Sequence, residues 1–318
     1  MPLSALPPWL APLASRLAAR IADPGLPHAI LIAGPAGIGK RMLAEWLVAA
    51  LLCRQPEADG SGCGRCRDCI MREAGSHPDL IRVGLGERTD GRARQEILID
   101  QIRSLSARLA TPAQRGGRRL ALIDPADRMN AAAANAFLKT LEEPGPERHL
   151  LLVADEPERL LATVRSRCLR LEPGLPERQR SLDWLVASGL PPALAAEALD
   201  LAEGAPLRAL ALAREEAAAG LLGAVRSELQ ALEAGERSAA ELARRWLADR
   251  PQLRLALAER LARRRLAARA LTDPALFSKL DRWLGQAARL RQELGGPLRP
   301  DVLLAGLLAS WPAERDRK

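Results

Sequence analysis

The sequence predicts an α/β domain built on a buried, mainly parallel sheet, followed by a part of the chain that is entirely helical. Two observations predict this fold class. Short apolar runs alternate with helical patterns as far as residue 171, which is typical of successive βα units. Beyond that point the chain is rich in Ala, Leu and Arg and shows no convincing strand. We therefore expect an α/β domain at residues 1–171, a small helical domain at 172–210 and a larger helical domain at 211–318.

The strands of the α/β domain are predicted from four apolar runs of strand length that lie between helical patterns. These runs are residues 29–33, 80–83, 120–123 and 150–153. A helical pattern at residues 42–52 follows the first run. The Pro- and Gly-rich stretch at residues 172–176 then breaks the chain and predicts a linker.

The helical part is divided by a second break at residues 203–206, which contains Gly204 and Pro206. Leucines recur among Arg and Ala at broadly helical spacing in the segment that follows. Trp246 and Trp283 are predicted to be core anchors of these helices and not ligand contacts.

Composition and charge exclude some classes of protein. The chain has 47 Lys and Arg against 39 Asp and Glu, a formal net charge of +8. That balance is compatible with a nucleic-acid partner and equally with a solvated Arg-rich surface. Aromatic residues make up only 3%, which argues against modules that stack several single-stranded bases. No secretory signal and no membrane-spanning apolar run is seen, so we expect a cytoplasmic protein without a membrane partner.

A glycine-rich motif follows the first predicted strand and precedes a helix, which is the context of a phosphate-binding loop. Its predicted nucleotide-binding residues are Gly34, Gly37, Gly39 and Lys40. Glycines allow backbone N–H groups to turn towards a phosphate, and the lysine and the helix N-terminus add positive potential.

Two residues of this loop region depart from a working ATPase. Arg41 stands where a Ser or Thr hydroxyl would ligate Mg²⁺, and Pro125 follows Asp124 where a Glu would activate water. Asp124 itself can still hold Mg²⁺ through water. Three interpretations compete: a relic that keeps the shape of the loop, a hydrolysing ATPase, and a chance resemblance. We expect no intrinsic ATPase activity, and ATP binding by this chain itself is doubtful.

Four cysteines in a chain without an export signal predict a metal site and not a disulfide framework. They are Cys53, Cys63, Cys66 and Cys69. Four thiolates can close a tetrahedral, structural Zn²⁺ site; a redox or iron–sulfur site is the alternative. His77 can in principle replace one thiol, but its place before Pro78 predicts a surface histidine. Cys168 stands apart and is expected to be a small buried hydrophobe.

Together these features resemble the clamp-loader family of bacterial DNA polymerase III. The segment at residues 137–144 is similar to the LLKTLEEP segment of that family's ATPase-like subunits, and Ser166-Arg167-Cys168 matches their SRC motif. The resemblance is strong through residue 171. Beyond it, only the helical pattern and residues 204–208 continue the resemblance.

The resemblance implies a P-loop, RecA-like AAA+ domain with a zinc-binding insertion, a helical lid domain and an all-α collar domain for oligomerisation. It also implies a non-hydrolysing place in a heteropentamer with ATP-hydrolysing gamma or tau subunits and a delta subunit. Primed DNA and the sliding clamp would be partners through the complex, and polymerisation would belong to another subunit of the holoenzyme.

Three positions gain roles from the resemblance. Arg167 of the SRC motif would be an arginine finger that reaches the ATP site of a neighbouring subunit; the alternative is an ion pair within its own domain. Arg208 occupies a place like the family's second sensor. Asp155, at the first-sensor place, would repel a γ-phosphate.

Two other functions remain open. An active ATPase of the gamma or tau type is disfavoured by Arg41, Pro125 and the pair Ala154-Asp155. An independent zinc-containing DNA-binding protein is disfavoured because the four cysteines lie inside a nucleotide-binding fold.

Overall fold

The computed structural model describes residues 6–22, 25–86, 94–269, 274–294 and 299–312. These residues form two compact units. The first unit contains the described residues up to Trp184 together with Gly204–Arg208. The second unit contains Leu185–Glu203 and the described residues from Ala209 onward.

The first unit is organised around a five-stranded parallel sheet, the α/β architecture that the sequence predicts. Its strands are β1 (Ala29–Ala33), β2 (Leu80–Val83), β3 (Arg119–Ile123), β4 (Arg148–Ala154) and β5 (Leu169–Leu171). Their spatial order is β2-β3-β4-β1-β5. The central position of β1 and β4 explains their continuous apolar runs, because both of their faces are covered.

Strand β5 is not among the predicted strands. It has three residues and lies at an edge of the sheet, with Arg170 exposed between two half-buried leucines. Such a strand has too few apolar residues to stand out in the sequence. It becomes recognisable only through its parallel pairing with β1, in which Arg170 is opposite Leu31.

Helices cover the sheet on both faces, and the alternation of β1 side chains divides the apolar core between them. Leu31 packs in the core that includes Phe137, whereas Ile30 and Ile32 pack in the core that includes Trp46. The helices, the last of which extends into the second unit, are α1 (Ala11–Ala22), α2 (Lys40–Leu52), α3 (Arg67–Glu73), α4 (Ile99–Ala110), α5 (Ala131–Glu142), α6 (Ala162–Arg165) and α7 (Arg178–Ala187).

Helices are the regular secondary structure of the second unit, and its described residues contain no strand. Its helices are α8 (Pro192–Leu201), α9 (Pro206–Ala219, whose first residues belong to the first unit), α10 (Leu221–Glu233), α11 (Ala239–Ala248), α12 (Pro251–Arg269), α13 (Pro274–Glu293) and α14 (Pro300–Ala309). Trp246 and Trp283 are 0% and 1% exposed, which confirms them as core anchors. Their indole N–H groups donate to Glu228 and to the Leu307 carbonyl. Among the described helices, none has the length and apolar character needed to cross a membrane.

Candidate functional site

The phosphate loop lies at the carboxyl ends of three adjacent parallel strands, where open α/β sheets bind ligands. β1 ends at Ala33, the loop follows, and α2 begins at Lys40. Gly37 and Gly39 have φ angles of 85° and 99°, a region that side chains disfavour. At Gly37 an added Cβ would also lie 2.5 Å from the Cβ of Arg208, so the backbone there has no room for a side chain.

Lys40 points back into its own loop and is 3% exposed. Its Nζ donates to the Pro35 carbonyl at 2.6 Å and forms an ion pair with Asp155 Oδ1 at 2.6 Å. Asp155 directly follows β4, which pairs with β1, so the sheet brings the two residues together across 115 positions of the chain. The ammonium group that would meet a phosphate is thus already paired with a carboxylate.

Arg41 lies between two carboxylates. Its Nε donates to Asp124 Oδ2 at 2.8 Å and Oδ1 at 3.1 Å, and its Nη2 is 3.4 Å from Asp155 Oδ2. Asp124 directly follows β3 and Asp155 directly follows the neighbouring β4, which places both carboxylates at one edge of the sheet. Burial raises the pKa of Asp124, and Arg41 partly opposes that rise.

Arg208 lies beside the loop, in the first turn of α9. The adjacent Leu207 N–H donates to the Gly37 carbonyl at 3.0 Å, which fixes this turn against the loop. Among the described residues, the Arg208 side chain forms no hydrogen bond or ion pair. The structure therefore brings the predicted nucleotide-binding residues together, either within this loop or beside it. They are Gly34, Gly37, Gly39, Lys40, Asp124 and Arg208.

Sequence reasoning missed a second contact on this loop. The Trp9 indole N–H donates to the Ile38 carbonyl at 2.9 Å, and its ring meets Trp184 edge-on with centroids 5.3 Å apart. Trp9 precedes α1 in a proline-rich stretch, and no pattern in the sequence relates it to residue 38 or 184.

The cysteine cluster lies at the opposite end of α2 from the phosphate loop, about 20 Å away at 1.5 Å per residue. One ligand atom from each of Cys53, Cys63, Cys66 and Cys69 lies within 4.8 Å of all the others. The Cys53 and Cys66 sulfurs are 3.9 Å apart, close to the roughly 3.8 Å of two sulfurs on a tetrahedral Zn²⁺. The donor set fits a metal ion that prefers soft sulfur ligands.

Local backbone geometry supports this arrangement of sulfurs. The Cys53 sulfur accepts N–H groups from Gln55 and Cys63, and the Cys63 sulfur accepts the N–H of Cys66. Burial alone would raise the pKa of Cys66, but backbone N–H groups and neighbouring thiols lower it to about 6. Gly62 packs on α2 so closely that an added Cβ would lie 2.9 Å from the Ala49 Cβ.

A buried ion-pair network joins the cysteine cluster to the sheet. Asp68, between two of the cysteines, accepts from Arg115 Nε at 2.9 Å, which holds the pKa of Asp68 below its usual range. Asp79 accepts the N–H groups of Gln114 and Arg115, both at 2.8 Å, just before β3. The loop that precedes β3 is therefore fixed against the cysteine segment.

The prediction of a surface histidine at residue 77 is wrong. His77 is 5% exposed, its Nε2 lies 3.2 Å from Asp68 Oδ1, and its Nδ1 accepts the N–H of Asp79. Both ring nitrogens are thus engaged away from the sulfurs. The histidine is buried because a carboxylate nine positions earlier in the chain gives it a polar partner in the interior.

Arg167 lies between α6 and β5, and its side chain is 40% exposed. Its Nη2 forms an ion pair with Glu142 Oε1 at 2.8 Å, and its Nη1 donates to the Thr163 carbonyl at 3.0 Å. The intradomain ion pair considered from the sequence is therefore present. Cys168 is half-buried against the core, and burial raises the pKa of its thiol to about 12.

Comparison with known proteins identifies relatives of this chain. The family model described as "DNA polymerase III, delta subunit" matches residues 10–173, just over half of the 318 residues. The chain is 45% identical over 205 residues to DNA polymerase III subunit delta′ (delta prime) of Pseudomonas aeruginosa. It is 39% identical over 210 residues to the subunit of the same name in Escherichia coli. Each match covers 64% of this chain and 60% of the relative, so the chain matches less than two thirds of each relative's length.

Among solved structures, the chain is similar to a DNA polymerase III gamma subunit-related protein of Thermotoga maritima. That pair is 20% identical with a TM-score of 0.46, covering 93% of this chain and 97% of the other. The resemblance to DNA polymerase III clamp-loader subunits that the sequence predicts is confirmed by the family model and the curated relatives. The phosphate loop, the cysteine cluster and Arg167 all lie within the matched residues. The chain therefore belongs to the DNA polymerase III delta subunit family.

Proposed function

We propose that this chain acts as the delta prime subunit of a DNA polymerase III clamp loader, a non-hydrolysing AAA+ subunit that helps to load the sliding clamp onto primed DNA. Its partners would be the gamma or tau and delta subunits of the complex, in the cytoplasm. The observation that most supports this role is an intact SRC motif with an accessible arginine, in a chain whose own phosphate loop is occupied by ion pairs.

The loop chemistry disfavours hydrolysis by this chain. Phosphoryl transfer depends on positioning and on positive charge at the phosphates. Lys40 is paired with Asp155, and residue 41 has no hydroxyl for Mg²⁺. We propose that ATP is not hydrolysed here and that the chain contributes to catalysis at a neighbour's site.

We propose Arg167 as the residue that makes this contribution. Its guanidinium is exposed enough to exchange Glu142 for a phosphate, and both partners of the present ion pair are solvated, so that pair is weak. A γ-phosphate offers more negative charge and a matching set of oxygens for the same planar donor group.

The remaining parts of the chain have proposed structural roles. Cys53, Cys63, Cys66 and Cys69 would hold one structural Zn²⁺, which would order a segment with little apolar core of its own. Residues 172–210 would form the lid and 211–318 the oligomerisation collar.

The test of Arg167 is a reconstituted complex with gamma or tau and delta subunits, clamp and primed DNA. Arg167→Ala should leave assembly intact and reduce DNA-stimulated ATP hydrolysis. An arginine finger raises the rate of hydrolysis about 10³-fold or more at the one ATP site that it contacts. The total turnover of the complex should therefore fall by the fraction that this one site contributes.

A matched control is Arg170→Ala, which removes an exposed arginine that is also paired with a nearby glutamate. It should hydrolyse ATP at the rate of the unaltered complex. Equal rates for Arg167→Ala and Arg170→Ala would contradict the finger role. A chain that does not co-purify with gamma or tau and delta would contradict the subunit assignment itself.

A further inference from the structure

We propose that Arg41 is a resident cation: its guanidinium takes the place of the divalent cation in the phosphate loop and thereby closes the loop to magnesium–nucleotide. The inference rests on the non-hydrolysing role proposed above and names the residue that enforces it. It assigns to Arg41 an active part in the site, beyond the simple lack of a hydroxyl group.

The geometry carries this inference because the guanidinium bridges two carboxylates from neighbouring strands. Asp124 offers both of its oxygens to Arg41 Nε, at 2.8 and 3.1 Å, and Asp155 Oδ2 lies 3.4 Å from Nη2. Oxygen atoms of paired carboxylates are the ligands that a divalent cation prefers. Here both carboxylates are already paired with the Arg41 guanidinium.

The charges of the site lead to the same conclusion. Lys40 and Arg41 contribute two positive charges, and Asp124 and Asp155 contribute two negative charges, so the four side chains are neutral together. With a neutral Thr at residue 41, the same site would have a net charge of −1 and a free hydroxyl oxygen. Such a site attracts a divalent cation, whereas the present one does not.

Because these side chains are partly exposed, a magnesium ion and Arg41 would compete for the same two carboxylates. The Arg41 side chain is 52% exposed, and those of Asp124 and Asp155 are 25% and 27% exposed. A magnesium ion can reach the carboxylates, but it must displace a covalently tethered cation whose local concentration is always high. Displacement would also leave the ion without a hydroxyl ligand from residue 41.

Lys40, inside the loop, also occupies one of the two carboxylates that a magnesium ion would need. Its Nζ is shared between the Pro35 carbonyl and Asp155 Oδ1, each at 2.6 Å. Asp155 therefore contacts both Lys40 and Arg41, and the loss of either contact would free part of the carboxylate. The two cations act on one shared anion.

The test measures binding of ATP to the full chain by calorimetry, once with Mg²⁺ and once with EDTA. The variant is Arg41→Thr, with Arg41→Ser as a second version of the same change. Arg41→Lys is the matched control because it keeps the positive charge. The wild type and Arg41→Lys should show less than about a twofold difference in Kd between the two conditions, or no binding in either. Arg41→Thr should bind ATP at least about tenfold more tightly with Mg²⁺ than with EDTA.

A second readout needs no nucleotide. Mn²⁺ alone, followed by electron paramagnetic resonance, should bind Arg41→Thr more tightly than the wild type and should not do so when Asp124→Asn is added.

The proposal is overturned if the wild type shows a tenfold gain with Mg²⁺. It is also overturned if Arg41→Thr and Arg41→Ser match the wild type in every condition, including no binding at all. Neither result bears on assembly with gamma or tau and delta subunits, so failure of this inference is distinguishable from failure of the proposed function.

Discussion

Asp68 connects the cysteine segment to the rest of the α/β unit. It lies between two of the clustered cysteines in the sequence, and its carboxylate contacts Arg115 and His77. It is 2% exposed, so its charge is compensated by those partners and not by water. Through it, the position of the cysteine segment depends on the loop that precedes β3.

Replacement of this carboxylate should therefore destabilise the first unit even when metal is saturating. Asp68→Asn leaves the guanidinium of Arg115 without its counter-charge, while His77 stays buried. We expect a loss of about 2 kcal/mol in the free energy of unfolding, less than for a fully buried pair because Arg115 is 32% exposed. Denaturant unfolding measures the loss.

The same substitution at Asp59 is its control. Asp59 is exposed in the cysteine segment and accepts the Ser61 N–H, a hydrogen bond that an asparagine can also accept. A loss in Asp59→Asn as large as that in Asp68→Asn would contradict the role given to the buried network.

At the scale of the element, strand β4 combines a buried apolar run with a buried histidine at its start. His149 is 8% exposed and lies opposite Leu120 of β3. Burial lowers its pKa from the ordinary value of 6.5, because the charged imidazolium would lose its hydration in the sheet.

The lowered pKa predicts a dependence of stability on pH. Between pH 6.5 and the lower folded value, the unfolded chain binds more protons than the folded chain, so stability falls as the pH falls through that window. The slope from this one group is at most about 1.4 kcal/mol per pH unit. His149→Leu should remove this contribution, as measured by denaturant unfolding at several pH values; an unchanged slope would contradict it.

Elements differ in how far their sequence predicts them. β1 is recognisable in the sequence because a strand buried on both faces is a continuous apolar run. β5 is not recognisable in this way, because only its pairing with β1 in the folded sheet identifies it as a strand. The four cysteines predict their own proximity by their spacing. The partners of Lys40, Arg41 and His77 could not be predicted, because only the folded sheet and loops bring those carboxylates near.

At the scale of the whole molecule, removal of metal should affect the two units unequally. The cysteine segment packs on the first unit, where Gly60 contacts Ala18 of α1 and Gly62 contacts Ala49 of α2. Loss of the crosslink should therefore lower the melting temperature of the first unit, while the Trp246 and Trp283 core of the second unit keeps its own.

Metal analysis and calorimetry test this expectation. The purified chain should contain one zinc per molecule, and a chelator or Cys66→Ser should remove it and shift one thermal transition. Cys168→Ser, outside the cluster, should keep the metal. A chain without zinc, or an unchanged melting profile after its removal, would sink the structural role of the cluster.

The contacts of Leu207 and Trp9 with the phosphate loop affect which residues a fragment of the α/β fold needs. The Leu207 N–H satisfies the Gly37 carbonyl, and Trp9, itself packed on Trp184, satisfies that of Ile38. A fragment ending at residue 171 would lose Leu207, the partner of the Gly37 carbonyl, and Trp184, the ring on which Trp9 packs. Residues 204–208, retained in the chain or added as a peptide, would restore the partner of the Gly37 carbonyl in such a fragment.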